Sequence, residues 1–172
     1  MILIALVGRK HSGKSTAADT ISRLAKGLVY QTAFADALKD EVAQATGVPR
    51  VQAEQEKERW RPIWQWWGTE FRRHDDPDYW IRKVGNKIVD THYHPDVAIV
   101  TDCRFDNEAK QIRAWNGLIV KILRPGTTQD RHTSETETDF IHPDFELNNN
   151  SDLKGLEYLV RNLCKTLKIE LK

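Results

Sequence analysis

Apolar positions in this chain fall into five short runs, separated by longer segments in which apolar and polar positions mix. The runs are Ile2–Val7, Leu28–Thr32, Val97–Thr101, Leu118–Leu123 and Phe145–Leu147. Several of them are continuous apolar stretches, which is typical of parallel strands that are buried on both faces. The pattern therefore predicts a parallel sheet of five strands.

The segments between these runs predict helices. They are Thr16–Lys26, Asp36–Thr46, Glu54–Trp67, Asp78–His92, Asp106–Asn116 and Leu153–Leu167. Alternating strands and helices favour an α/β fold with three layers and right-handed crossovers.

Two segments do not fit a simple crossover. Residues 36–95 are too long for one, so we expect a helical insertion beside the sheet. Residues 125–143 are rich in Thr, Asp, Glu and His and lack apolar periodicity; irregular segments of this length are usually lids or binding loops. We therefore expect one domain over residues 1–172, with a core of residues 1–35, 96–124 and 144–172.

Composition adds few constraints. The chain has 172 residues, 40% of them apolar and 30% charged, and a formal net charge of +1. This balance gives no reason to expect a nucleic-acid or membrane partner. Two cysteines, Cys103 and Cys164, do not form a disulfide framework, and the first apolar run is too short for a signal peptide. We expect a cytoplasmic protein, either a monomer or a homodimer, that binds small molecules.

The first apolar run leads directly into the segment Gly8–Ser15, which fits the pattern G-x-x-x-x-G-K-[ST]. A strand, this loop and a helix in that order indicate a phosphate-binding P-loop. Backbone N–H groups and the helix N-terminus bind phosphate oxygens in such loops. Lys14 then bridges the β- and γ-phosphates of ATP, and the Ser15 hydroxyl binds Mg²⁺. The predicted ATP-binding residues are Gly8, Lys10, His11, Ser12, Gly13, Lys14, Ser15 and Thr16.

The third apolar run ends in Asp102, and Arg104 follows two residues later. In P-loop folds an acid at this place holds Mg²⁺, so we predict a metal-binding or catalytic role for Asp102; the alternative is a helix cap. The planar fork of a guanidinium suits a phosphate, which makes Arg104 a candidate phosphate ligand. A surface ion pair with Glu108 is the alternative for Arg104.

Thr101–Glu108 resembles the D-x-R-F-x-N-E signature of bacteriophage-type deoxynucleoside monophosphate kinases, which belong to the P-loop nucleoside monophosphate kinases. Other segments are similar to the same family in the same order. They are Phe34–Lys39 (F-A-D-x-L-K), Gln65–Arg73 (Q-x-x-G-T-E-x-x-R), Leu123–Gly126 and His132–Glu135 in the lid, and Leu147–Asn149 at the last strand. The P-loop alone is generic, whereas the conjunction of these segments is specific.

The resemblance implies transfer of the ATP γ-phosphoryl group to a deoxynucleoside 5′-monophosphate, with ATP and Mg²⁺ required. It also implies a P-loop fold with a monophosphate-binding insertion over residues 36–95 and a lid over residues 125–143. The catalytic candidates are Lys14, Asp102, Arg104, Arg124 and Arg131, with Ser15 and Asp102 on the metal. The acceptor candidates are Asp36, Lys39, Gln65, Arg73, Trp80, Arg104 and Glu108.

Several of these residues have an ordinary structural alternative. Asp36 and Lys39 also suit the start of a helix. Trp60, Trp64 and Trp67 share one helix face and favour a core, whereas Trp66 or Trp80 could stack on a base.

Two adjacent arginines, Arg72 and Arg73, lie near Glu70 in sequence. We expect one, with Arg73 favoured, to bind the acceptor phosphate and the other to pair with Glu70. Arg124 and Arg131 in the lid would close over the reaction and exclude water. His92, His94, His132 and His142 lack the spacing of a zinc site, so we predict none.

Two other functions remain open from the sequence. One is a P-loop kinase for another acceptor, such as a coenzyme A precursor or a sugar acid. The other is a nucleotide-dependent switch without an acceptor, which the five arginines at positions 72, 73, 104, 124 and 131 disfavour. Base preference and the preference for deoxyribose are not predicted.

Overall fold

A computed structural model describes residues 1–89, 94–127 and 137–172. Its five strands are β1 (Ile2–Val7), β2 (Val29–Thr32), β3 (Val97–Val100), β4 (Leu118–Leu123) and β5 (Phe145–Asn148). They form one parallel sheet in the order β2-β3-β1-β4-β5. The sequence prediction of a five-stranded parallel sheet is confirmed.

The helices of the described residues are α1 (Lys14–Leu24), α2 (Phe34–Thr46), α3 (Arg50–Gln55), α4 (Lys57–Gln65), α5 (Tyr79–Val89), α6 (Asp106–Ala114) and α7 (Leu153–Thr166). A π-helix at Trp66–Arg73 and a 3₁₀ turn at Glu137–Asp139 complete the set. None of the helices in these described ranges has the length and apolar character that spanning a membrane requires.

The chain forms two compact units. The sheet unit consists of residues 1–32 and 91–172, and the helical unit consists of residues 33–90. In the sheet unit, alternate residues of β1 such as Ile4 and Leu6 pack with α1 and α7. Helix α6 contacts β1 and β4. The residues of β1 that alternate with Ile4 and Leu6 point to the opposite face of the sheet, so helices cover both faces. This is the three-layer α/β arrangement.

The helical unit has its own small core. Val42, Ala53, Trp60 and Trp64 are buried together, and the partly buried Trp67 packs against them. The expectation that the tryptophan stripe forms a core is therefore confirmed.

The single helix expected over Glu54–Trp67 is wrong. The chain leaves the helical conformation at Glu56 (φ −100°, ψ 39°), so α3 and α4 are separate. Beyond Gln65 it widens into the π-helix, where Gly68 lies so close to α2 that a Cβ there would stand 3.0 Å from Leu38. Local periodicity encodes neither the break at Glu56 nor the close approach of Gly68 to Leu38.

Candidate nucleotide-binding site

The P-loop connects β1 to α1 and depends on two glycines. Gly8 has φ +148°, and a Cβ there would stand 2.5 Å from the backbone oxygen of Ile122 on the neighbouring strand β4. Gly13 has φ +106°, and a Cβ there would stand 2.8 Å from the Asn149 side-chain nitrogen. Because L-residues disfavour such φ values and no room is left for a side chain, both positions require glycine.

Lys14 lies at the start of α1, and its ammonium group folds back over the loop. Its Nζ donates hydrogen bonds to the carbonyl oxygens of Gly8 at 2.6 Å and Arg9 at 2.8 Å. The charge is thus held above the loop amides, which is where a phosphate chain would bind. Ser15 and Thr16 follow on the exposed first turn of α1.

Asn149 binds the P-loop through its side chain, and sequence reasoning missed it as a functional residue. It is 2% exposed, follows β5, and donates from Nδ2 to the Ser12 carbonyl at 2.9 Å. Its own N–H bonds to the Leu123 carbonyl at 2.8 Å, so it is fixed to the end of β4. Asn149 stood in the sequence only as the end of the Leu147–Asn149 segment that resembles the family's last strand and turn, and no role was predicted for it.

Asp102 and Arg104 follow β3, which pairs with β1 in parallel, with Ala5 opposite Val100. The carboxyl ends of both strands therefore lie at one edge of the sheet, the edge that carries the P-loop. Both Asp102 and Arg104 are half-buried there. Asp102 and Arg104 are thus carried by the same sheet edge as the P-loop.

Glu108 has a different place from the one expected of an acceptor ligand. It is 3% exposed, and its carboxylate accepts hydrogen bonds from the backbone N–H groups of Arg104 at 2.9 Å and Phe105 at 3.2 Å. It caps α6 and fixes the loop that carries Arg104. A direct contact between Glu108 and the acceptor is not favoured by this burial.

A cavity of about 320 Å³ opens beside the loop. Its walls come from the loop itself, the end of β4, and the turns near Asp139 and after β5; the charged and amide residues among them include Arg9, Lys121, Arg124, Asp139, Asn148 and Asn150. Arg124 is exposed at this wall, whereas Arg131 and His132 lie outside the described residues.

Arg9 and Asp139 meet at the cavity wall, and sequence reasoning missed both. Arg9 Nη2 lies 2.7 Å from Asp139 Oδ2, and Nε lies 3.4 Å from Oδ1. The hydrogen bonds to Asp139 raise the pKa of Arg9 above its ordinary value. Because the two residues are 130 positions apart, the pair had no local signal in the sequence.

In the helical unit, both acceptor candidates of α2 are engaged by α3. Asp36 binds Arg50, and Lys39 Nζ lies 3.0 Å from Glu54 Oε1. The Lys39 Nζ atom also lies 5.2 Å from the centre of the Trp64 ring. Asp36 is in the first turn of α2 and Ala33 is the residue before the helix, so Asp36 is not its N-cap.

The two adjacent arginines differ in their surroundings. Arg72 Nε donates to Glu41 Oε1 at 2.6 Å, so Arg72 binds Glu41 on α2. Trp67 and Tyr79 donate to the same carboxylate. Burial acts to raise the pKa of Glu41, but these hydrogen bonds and the Arg72 charge outweigh it and lower the pKa. Arg73 ends the π-helix and is half-buried.

Trp80 and Trp66 also separate. Trp80 is 3% exposed and donates from Nε1 to the Gly68 carbonyl at 3.0 Å, which removes it as a stacking surface. Trp66 is 52% exposed and lies parallel to Phe71, with ring centres 5.5 Å apart. The structure favours Trp66 over the predicted Trp80. Gln65, the residue before Trp66, is the last residue of α4 and is half-buried.

Comparison with known proteins supplies three findings. The family model for phosphomevalonate kinase matches residues 6–116. A protein of Acanthamoeba polyphaga mimivirus described as "Putative deoxynucleotide monophosphate kinase" is 34% identical over 165 residues, covering 80% of this chain and 82% of its own. Two shikimate kinase structures align over 97% of the chain. That from Aquifex aeolicus has a TM-score of 0.48 at 14% identity over 96% of its chain, and that from Bacteroides thetaiotaomicron has 0.49 at 16% over 98%.

Proposed function

The chain belongs to a family of P-loop kinases, the one that includes its mimivirus relative, and from this premise we propose that it phosphorylates a deoxynucleoside 5′-monophosphate. The γ-phosphoryl group of ATP would pass to the monophosphate, giving a deoxynucleoside diphosphate and ADP. The observation that carries the proposal is the 34% identity to a relative described as a deoxynucleotide monophosphate kinase, over 80% of the chain.

The ATP phosphates would bind in the P-loop, at its backbone N–H groups and the N-terminus of α1. On their arrival Lys14 would exchange its bonds to the Gly8 and Arg9 carbonyls for phosphate oxygens. The rest of the nucleotide would extend into the neighbouring cavity, where Arg124 and the side chains of Asn148 and Asn150 form the walls.

The donor set at the loop edge fits a magnesium ion. Ser15 offers a hydroxyl and Asp102 a carboxylate, both oxygen ligands, and Mg²⁺ in kinases is held by few protein oxygens together with phosphates. When bound, the ion neutralises charge that develops between the phosphates. Lys14, and the amides of the loop, would orient the γ-phosphoryl group for in-line attack.

Residues of the helical unit are proposed to bind the acceptor, and Arg104 of the sheet unit is proposed separately as a phosphate ligand. Lys39 and Arg73 are the cations proposed for the acceptor phosphate, and Asp36 and Gln65 for its sugar and base. Trp66 is proposed to stack on the base because its indole is half exposed. Arg124 and Arg131 are proposed to close over the transferring group, stabilise its charge and exclude water.

A second candidate function is suggested by the family model. Phosphomevalonate kinase is the description of the model that matches residues 6–116. Phosphomevalonate, like a deoxynucleotide, offers a phosphate monoester as acceptor, so the same cations could serve either reaction. It lacks a base, which makes Trp66 and Gln65 the residues that would discriminate between the two.

The experiment that tests the proposal measures ADP release from ATP and Mg²⁺ with each acceptor separately. The acceptors are the four common deoxynucleoside monophosphates, the ribonucleotides and phosphomevalonate. Release with one or more deoxynucleotides would support the proposal, and release with phosphomevalonate alone would support the second candidate. Acceptor-independent release would contradict both.

A further inference from the structure

Lys39 and Arg50 meet at a single carboxylate oxygen. Lys39 Nζ lies 3.0 Å from Glu54 Oε1, and Arg50 Nε lies 3.1 Å from the same atom. The three residues belong to α2 and α3 of the helical unit. The two cations are thus brought together from different helices, with one anionic oxygen bridging them.

The two cations are more enclosed than the carboxylate that bridges them. The side chain of Lys39 is 20% exposed and that of Arg50 is 32% exposed, whereas that of Glu54 is 39% exposed. Lys39 is further held over the Trp64 ring. Glu54 is therefore the most solvent-exposed side chain of the trio.

Arg50 has two carboxylate partners besides Glu54. It also binds Asp36 on α2, and its Nη1 lies 3.0 Å from Asp40 Oδ1. Burial acts to lower the pKa of Arg50, but the hydrogen bonds to Asp40, Glu54 and Asp36 outweigh it and raise the pKa, so Arg50 is charged. Because its other nitrogens bind Asp36 and Asp40, Arg50 can donate a hydrogen bond from Nε to a different anion.

We infer that Arg50 is a second ligand of the acceptor phosphate beside Lys39, and that Glu54 occupies the phosphate position until the acceptor displaces it. The inference rests on the proposed function, because it takes Lys39 as an acceptor-phosphate residue. A phosphate monoester supplies several oxygens and close to two negative charges near neutral pH, against one for Glu54. Exchange of the carboxylate for the phosphate therefore strengthens the attraction to both cations.

Glu54 then acts as a competitor built into the chain. Every acceptor that binds must first break the Lys39–Glu54 and Arg50–Glu54 contacts, so the observed affinity is lower than the two cations alone would give. A purely structural Glu54 predicts the reverse. Its removal would loosen α3 against α2 and weaken acceptor binding.

The test compares Glu54→Gln with Asp40→Asn in the full-length protein. Both substitutions remove one negative charge from a carboxylate that touches Arg50, but only Glu54 also touches Lys39. Each deoxynucleoside monophosphate is titrated by calorimetry with ADP saturating the P-loop. We expect Glu54→Gln to lower the dissociation constant about threefold to tenfold, and Asp40→Asn to change it about twofold at most.

Two Arg50 variants complete the test. Arg50→Met is expected to raise the deoxynucleotide dissociation constant about tenfold or more, and to abolish the gain from Glu54→Gln when the two are combined. Arg50→Lys keeps the charge without the fork and is expected to fall between wild type and Arg50→Met. Thermal unfolding of each variant checks that the fold is retained.

The outcomes separate the inference from the function on which it rests. Wild-type protein that binds a deoxynucleotide, together with a Glu54→Gln variant whose dissociation constant is unchanged or higher, would overturn the inference alone. Equal gains in Glu54→Gln and Asp40→Asn would overturn it too, because they would show a general charge effect. Wild-type protein that binds no deoxynucleotide would overturn both.

Discussion

The Lys14 ammonium is placed by the loop itself, through hydrogen bonds from Nζ to two loop carbonyls. Its replacement should therefore remove charge at the phosphate site without removing any side chain from the core. We expect Lys14→Ala to lower kcat/KM for phosphoryl transfer about 10²–10³-fold, with an unchanged far-UV circular dichroism spectrum. Lys165→Ala, at an exposed position of α7, is the control and should match wild type. Near-normal kcat/KM in Lys14→Ala would contradict the assignment of the loop.

Asn149 and Asn150 are adjacent asparagines with opposite surroundings. Asn149 is 2% exposed and bonds the Ser12 carbonyl, whereas Asn150 is exposed. Because Asn149→Ala leaves a buried carbonyl without its donor, we expect it to lower the free energy of unfolding by about 1–3 kcal/mol. Asn150→Ala should stay within about 0.5 kcal/mol of wild type. Urea unfolding measures both, and equal effects would show that the bond to Ser12 does not stabilise the loop.

At the scale of the element, Glu41 connects α2 to the π-helix and to α5. It accepts hydrogen bonds from Trp67, Arg72 and Tyr79, and these lower its pKa in the folded state. A carboxyl with a depressed folded pKa stabilises the protein above its unfolded pKa and loses this contribution as pH falls through the folded value. We expect the stability of wild type to drop more steeply than that of Glu41→Gln below the ordinary carboxyl range.

Thermal unfolding at a series of pH values between neutral and about pH 3 measures this difference. Glu56→Gln, which removes a carboxylate paired with Arg59 at an exposed site, is the matched control. Parallel pH curves for wild type and Glu41→Gln would show that the three donors do not favour the charged carboxylate.

Residues 50–73 show why element boundaries were harder to predict than element types. The stripe of Trp60, Trp64 and Trp67 correctly indicated a helix face turned to a core. The break at Glu56 has no periodic signature, and neither have the wide turns after Gln65, which bring Gly68 against Leu38 of α2. The same wide turns expose Trp66 and stack it on Phe71, five residues on, so the candidate base platform could not be chosen from the sequence.

At the scale of the whole molecule, long-range pairing marks the limit of sequence reasoning. The five strands were predictable because buried parallel strands are continuous apolar runs. Their order was not, since it depends on which runs meet in space. The Asn149–Ser12 bond joins residues 137 apart and the Arg9–Asp139 pair joins residues 130 apart. The P-loop itself was predictable because glycines, lysine and serine at fixed spacing encode a local backbone shape.

The division into two units, each with its own core, allows stability and acceptor binding to be separated with one residue type. Trp64 is 7% exposed in the core of the helical unit, whereas Trp66 is 52% exposed. We expect Trp64→Ala to lower the free energy of unfolding of that unit by about 3–5 kcal/mol, and to impair transfer while ATP still binds. Trp66→Ala should leave stability nearly unchanged and raise the deoxynucleotide KM about fivefold to hundredfold, through loss of stacking.

Intrinsic fluorescence is a suitable probe of the helical unit because five of the six tryptophans lie within residues 33–90. Denaturation followed by fluorescence should move to lower urea in Trp64→Ala and not in Trp66→Ala. ATP affinity, which we expect to depend on the P-loop of the sheet unit, should be the same in both variants and in wild type. Loss of ATP binding in Trp64→Ala would show that the loop depends on the helical unit for its shape. An unchanged deoxynucleotide KM in Trp66→Ala would show that the indole does not take part in acceptor recognition. The cationic side chains proposed for the acceptor phosphate would then be the main determinants of acceptor affinity.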